Sequence, residues 1–286
     1  MRAELPPPKL FEEVCQKGLS MVRPLLPSAA QHDPQGWNFG SARPPSYWAY
    51  GRLRALLAMS EAKALHPKRV FEVAAGDGAL CACLQQMGCE VVANDLRREN
   101  LEQSVAGFHN HEQIRIVPGN VFELSPSLIG QFDLVIACEV IEHVAHAVDL
   151  LRQLRQFVTP NGHILLTTPN GAYFRNKLPT YSQVKNLTEL ESRQFKPDAD
   201  GHLFLITPEE LRQIGADAGL EVKRLIIWGT PFISGESGLR FLSPLSVTRW
   251  WYRLEVMCQD LSGSVLRRLA NSMSVVLTPT SGTMPS

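Results

Sequence analysis

What this 286-residue chain lacks narrows its function before any motif is read. Charge of one sign is missing. The 28 Lys and Arg balance 28 Asp and Glu, so only a local patch would hold a polyanion, and nucleic acid is disfavoured as a partner. No run approaches the roughly 18 uninterrupted apolar residues that mark a membrane span. The opening MRAELPPPKLFEEV has no apolar signal-peptide core, so the mature chain is expected to be the whole chain, in the cytoplasm. Paired C-x-x-C spacing is also absent. Cys15, Cys81, Cys83, Cys89, Cys138 and Cys258 read as reduced, buried thiols rather than disulfides or a zinc site. There is no internal repeat and no low-complexity tract. With 44% apolar and 20% charged residues, the chain is neither disordered nor a coiled coil.

What is present is organised in three parts. Residues 1–65 carry 8 basic and 5 acidic side chains and Pro-rich punctuation at 6–8, 24–34 and 43–45, an N-terminal helical or irregular cap. Residues 66–230 carry 15 and 20 and alternate short apolar runs with helical patterns, the pattern of a catalytic core. Residues 231–286, with 5 and 3, form a helical insertion and a last strand. Strand-like runs lie at 69–75, 90–95, 113–119, 132–138, 163–169, 220–229 and 271–279. Apolar runs without polar alternation suit strands covered on both faces, and their alternation with helices predicts a doubly wound, largely parallel α/β sheet. TPEELRQIGADAG (207–219) reads as a helix with Thr207 as N-cap, Pro208 at its first position and Glu210 as capping-box partner.

Chemistry concentrates at the carboxyl ends of these strands. Glu72-Val73-Ala74-Ala75-Gly76-Asp77-Gly78 joins the first strand to the next helix, where glycines allow a tight turn and close approach of a ligand to helix N–H groups. The loop has neither G-x-G-x-x-G nor G-K-[ST], so it is not a dinucleotide or phosphate loop. The acid Glu72 ahead of it suits a cationic ligand. Asp95, seventeen residues after Gly78, ends the second strand, where a carboxylate can accept from two vicinal ribose hydroxyls. The third strand ends at Gly119-Asn120-Val121.

In FEVAAGDGAL, VVANDL, VPGNVFEL, FDLVIACEVIEHV, TPNGHILLTTPN and TPEELRQIGADAGLEV the chain resembles the class I S-adenosylmethionine-dependent methyltransferases over about residues 66–230. That resemblance implies a Rossmann-like, doubly wound seven-stranded sheet, mostly parallel with an antiparallel last strand, carrying N-terminal and post-strand-6 helical caps. It implies that S-adenosyl-L-methionine is the cofactor. Glu72, Gly76, Asp77, Gly78 and Cys138 would border it, Asp95 would take the ribose hydroxyls, and Asn120 with Val121 would meet the adenine edge. Two positions depart from the family pattern. Ala74 stands where a first glycine is usual and Asn120 where Asp is common.

Glu139, Glu142 and His143 fall at helical spacings of three and four, and with His202 they make a candidate site for Mg²⁺ or Mn²⁺. The E-x-x-E-H segment is similar to that of ubiquinone-pathway O-methyltransferases and of the 2′-O-methyltransferases of small-RNA 3′ ends. The alternative is that Glu142 and His143 act without metal, His143 as general base for a hydroxyl acceptor. His146 reads as a surface residue. The aromatics of the N-terminal segment, of the substrate loop 170–205 (Tyr173, Phe174, Tyr181) and of the region after the sixth strand (Trp228, Trp250, Trp251, Tyr252) are expected to form a lid over an apolar acceptor pocket. Residues 246–273, with Arg249, Arg253, Arg267 and Arg268 among apolar positions, read as a helical cap or homodimer contact, or else as a peripheral membrane contact. The reading is O-methylation of a small or amphiphilic metabolite, a phenol, quinone precursor or sugar. The rivals are RNA 2′-O-methylation and a non-catalytic S-adenosylmethionine-binding module.

Overall fold

A computed structural model describes residues 5, 45–76, 78–106, 111–194, 201–234, 245–261 and 263–280. Among them, helix α1 (Pro45–Leu65) leads into strand β1 (Arg69–Val73), α2 (Ala79–Gln86), β2 (Glu90–Ala93), α3 (Arg98–Val105), β3 (Ile114–Ile116) and β4 (Phe132–Cys138). Then follow α4 (Ala147–Phe157), β5 (Val158–Pro169), a short α5 (Thr188–Glu191), α6 (Pro208–Asp217) and β6 (Leu220–Trp228). Helices α7 (Pro231–Ser234), α8 (Leu245–Cys258) and α9 (Gly263–Leu269) separate β6 from β7 (Ser272–Pro279).

The strands form one seven-stranded sheet in the order β3-β2-β1-β4-β5-β7-β6. β1 to β5 pair in parallel, and β7 runs antiparallel between β5 and β6. The doubly wound sheet predicted by the strand-helix alternation is therefore present, with the Rossmann-like order and antiparallel last strand that the family resemblance implied.

Strand residues alternate between two buried layers. Phe71, Val73, Val135, Ala137, Ile164 and Leu166 face one side, where Leu150, Leu151 and Leu154 of α4 and Leu211 and Ile214 of α6 close over them. Val70, Val91, Ala93, Leu134, Ile136 and Leu165 face the other, against Ala58 and Ala62 of α1, Cys81 and Leu84 of α2, and Leu101 of α3. Burial on both faces is why these strands read as continuous apolar runs. Phe71 anchors the centre, stacked on Phe132 at 5.1 Å and edge-on to Phe157 at 5.2 Å. Its truncation to Ala would cost about 3–5 kcal/mol.

β4 spans the seven residues read from the sequence, but β5 begins five residues ahead of His163. Phe132 pairs with Val158 before a bulge lets Leu134 pair with His163, so the Asn161-Gly162 dipeptide lies inside the strand. The capping box is present. Glu210 N donates to Thr207 Oγ1 at 3.2 Å, and Thr207 N donates to Glu210 Oε2 at 2.7 Å.

Since β7 opposes both neighbours, β6 and β5 end on the same edge of the sheet, where Ser272 is paired with both Pro169 and Trp228. Three contacts hold α8 there. Gly229 N and Thr230 N each donate to Glu255 at 2.8 Å, and Thr230 Oγ1 donates to the same carboxylate at 2.6 Å. Trp228 and Tyr252, expected in an aromatic lid, are instead core residues. They pack with Leu53, Leu56 and Leu57 of α1, and Trp228 Nε1 donates to Ser274 Oγ at 2.9 Å. An aromatic ring that fills the gap between helix and sheet buries more apolar area than one held over a pocket.

Candidate active site

The glycine-bend side is built by backbone. After β1 the chain turns through Ala74, Gly76 and Gly78, all with left-handed φ of 54°, 57° and 68°. Gly78 begins α2 and admits no side chain, since a Cβ there would lie 2.5 Å from Val105 Cγ2. The space above Gly76 is open. Asp95 closes the bend, its Oδ2 accepting from Gly76 N at 3.0 Å and its Oδ1 from Arg97 N at 3.3 Å. Asp77 lies outside the described residues.

Beside Asp95, the buried Asn94 donates its amide to Val117 O at 2.8 Å and Gly119 O at 2.9 Å, stitching the ends of β2 and β3. Sequence reading passed over Asn94, and the signal was the polar pair Asn94-Asp95 closing an apolar strand. Asn120 caps the turn after β3, its Oδ1 accepting from Phe122 N at 3.2 Å, and Val121 behind it is buried. Glu72 is also buried and accepts from Cys81 Sγ at 2.8 Å, a thiol partner that its expected facing of a cation did not foresee.

The other side lies past β4. The expected helical turn is only a short 3-10 turn, Ile141–His143, because Glu139 takes a left-handed φ of 55°. Its carboxylate swings toward β5 and α1. Thr167 Oγ1 donates to Glu139 Oε1 at 2.9 Å, and Arg54 Nη1 lies 3.6 Å from Oε2. Arg54, unnoticed in the sequence, thus brings a cation from the cap helix into the site. Burial first, then the Glu72 charge, push the adjacent Cys138 thiol up to about 12, so it stays neutral.

Glu142, His143 and His202 come together. One ligand atom from each lies within 4.8 Å of the others, and the two imidazoles meet edge-to-face with centroids 5.0 Å apart. The bond from Leu203 N to Glu142 O at 2.9 Å carries His202 there across sixty residues of chain. Glu139 lies outside this group of three, as does His146, whose Nε2 pairs with Glu191 Oε1 at 2.7 Å. Glu142 is 0% exposed. Its Oε2 accepts from Thr168 Oγ1 at 3.0 Å, while its Oε1, buried too, has no hydrogen-bond partner and faces His202 Nε2 at 3.9 Å. Burial first, and the neighbouring Glu139 charge second, drive Glu142 well above the usual carboxylate range. Burial lowers His202, against the pull of Glu139.

A sequence model of the methyltransferase domain matches residues 46–225, more than half of the chain and all of the site just described. The chain belongs to the methyltransferase family. Curated relatives agree. The ubiquinone biosynthesis O-methyltransferase of Pseudomonas paraeruginosa (strain DSM 24068 / PA7) is 30% identical over 171 residues, covering 59% of this chain and 71% of the relative. That of Proteus mirabilis (strain HI4320) is 28% identical over 177 residues, covering 61% and 69%. Among solved structures, magnesium protoporphyrin IX methyltransferase from Synechocystis PCC 6803, with bound SAH, superposes with a TM-score of 0.53 at 14% identity, covering 95% of this chain and 99% of that one. Geranyl diphosphate methyltransferase, in complex with GPP and sinefungin, gives 0.52 at 17% identity over 80% and 79%. These similarities in structure carry the fold, and the family match carries the chemistry. The enzyme is an S-adenosylmethionine-dependent methyltransferase.

Proposed function

We propose that this methyltransferase transfers the S-adenosylmethionine methyl group to a hydroxyl of a small, amphiphilic acceptor, with a divalent ion held by Glu142, His143 and His202. The observation that carries this reading is the orphaned, buried Oε1 of Glu142 beside two imidazoles. A buried carboxylate oxygen without a donor costs about 1–3 kcal/mol or more, so such an arrangement persists where a cation offsets it. The donor set, one carboxylate with neutral imidazoles, fits Mn²⁺ better than the oxygen-preferring Mg²⁺, and the lowering of His202 keeps its lone pair available. The names of the curated relatives support oxygen as the accepting atom and a phenolic quinone precursor as the acceptor class.

In this reading the donor lies along the glycine bend. Asp95 accepts from the ribose hydroxyls, and Asn120 and Val121 border the adenine. Arg54 supplies the cation for the donor's carboxylate, and the carboxylate of Glu72 lies on the sulfonium side. The acceptor oxygen attacks the methyl carbon in line from about 3–3.5 Å, the C–S bond breaks, and S-adenosylhomocysteine leaves as a neutral thioether. When bound, the ion would lower the acceptor's pKa as a Lewis acid. With the acceptor's pKa so lowered, its hydroxyl proton would be lost to water, and only in the metal-free alternative would a ring nitrogen of His143 take it as general base. Glu142, fixed by Thr168, would hold the ion through its remaining oxygen.

The test is turnover of phenols, sugars and RNA with labelled donor, with and without chelator, and in Glu142→Ala and His143→Ala. The expected result is activity on a phenol or sugar that chelator abolishes and divalent ion restores, with donor binding intact in both variants. Activity indifferent to chelator but lost in His143→Ala would leave His143 as base without an ion. Activity indifferent to all three would remove the assignment.

A further inference from the structure

Helix α8 has its polarity inverted. Its inward side holds Tyr252 and the fully buried Glu255. Its outward side presents Trp250, 63% exposed, and Met257, 66% exposed, two turns apart on one stripe, with exposed Leu261 continuing it. The guanidinium of Arg253 lies over the Trp250 ring, 5.3 Å from its centroid. A second segment, against the end of α9, repeats the motif. Phe174 N donates to Arg268 O at 3.0 Å, which sets residues 174–178 against the end of α9. There Phe174 and Leu178 are exposed, as are Arg175 and Lys177, and the Arg175 guanidinium lies 5.2 Å from the Phe174 centroid.

Charge on these segments is mostly positive although the chain as a whole is neutral, with Glu209 pairing Arg267 beside them. Among the described residues of 174–178 and 245–280, the exposed cations Arg175, Lys177, Arg253 and Arg268 stand against one exposed acid, Asp260. Glu255, the other acid in these spans, is buried.

We propose that this face docks on an anionic phospholipid bilayer. Tryptophan and phenylalanine rings seat at the boundary of headgroup and acyl chain, while arginines stacked on them reach the phosphates. Each cation near such a surface contributes on the order of 1 kcal/mol, about fivefold in partitioning. A second copy of the chain is a poorer occupant, because a two-fold contact through this patch would oppose its cations to one another. The patch lies on the sheet edge where β5 and β6 end, held there by Asn170 Nδ2, which donates to Arg267 O and to Ala270 O, both at 2.7 Å. The docking stands apart from the reaction. Only its corollary, that an amphiphilic acceptor is met at the bilayer, rests on the proposed methyl transfer.

The full chain should co-sediment with vesicles of phosphatidylcholine containing phosphatidylglycerol, weakly with phosphatidylcholine alone, and less as salt is raised. Arg253→Glu with Arg268→Glu should lower partitioning about tenfold or more. Trp250→Ala with Met257→Ser should do so comparably. S-adenosylmethionine binding by calorimetry should be unchanged in both pairs, showing that they are folded. Binding absent from anionic vesicles, or equal in wild type and both variants, overturns the proposal. Self-association abolished by Trp250→Ala/Met257→Ser in a chain that ignores vesicles would also overturn it, in favour of a second copy.

Discussion

The two halves of the site are satisfied in different ways. At the glycine bend the polar groups answer one another. Asp95 takes the Gly76 and Arg97 N–H groups, Asn94 gives both amide hydrogens to carbonyls, and Asn120 takes the Phe122 N–H. Past β4 they do not, for Glu142 keeps a buried oxygen without a donor and two histidines crowd toward it. A surface made of backbone and reciprocal hydrogen bonds can hold a ligand of fixed shape at little cost in the empty state. A buried carboxylate facing imidazoles is costly until something positive arrives or a proton moves. On the proposed function this contrast divides binding from chemistry, and substitutions on either side should divide them too.

The largest effect is expected past β4. Glu142→Gln keeps the shape and the bond from Thr168 but cannot become a carboxylate ligand, and should lower turnover about a hundredfold or more with donor affinity unchanged. Equal losses in both quantities would break the division between the halves. Asp95→Ala is the counterpart. It removes the acceptor of Gly76 N and the carboxylate proposed for the ribose, and calorimetry should show donor affinity lower by roughly tenfold to a hundredfold. With donor saturating, turnover should recover most of its value. If it does not, Asp95 shapes the reacting geometry and not binding alone.

How much of this was legible in the sequence follows the same line. β1, β2 and β4 announce themselves because strands buried on both faces are apolar throughout, and the Thr207–Glu210 box announces α6 because its chemistry is local. Glycine spacing and the acid at the end of β2 marked the glycine bend for the same reason. What was hidden depends on distant contacts or on a single torsion. Residue type grouped Glu139 with Glu142, but its left-handed backbone turns it toward Thr167 and Arg54. No local pattern says that Arg54, on a helix ahead of the core, enters the site. The insertion after β6 could be read as helical without saying which face turns outward, so Trp228 and Tyr252 were read as lid residues when they are core.

The smallest effect tests whether the donor bend is as relaxed as its hydrogen bonds suggest. Ala74 holds φ at 54° and Gly78 at 68°, so one left-handed position carries a Cβ and the other does not. For an L residue that region costs roughly 1–2 kcal/mol, partly returned because alanine has less freedom than glycine to lose on folding. Ala74→Gly should therefore stabilise the fold by only about 0.5 kcal/mol. Gly78→Ala should cost about 2 kcal/mol, since its new methyl adds a clash with Val105 to the same backbone strain. Thermal unfolding of the two variants reads the difference directly. A loss of stability in Ala74→Gly would mean that the alanine methyl packs usefully there. The side of the site that looks built from backbone alone would then depend on a side chain after all.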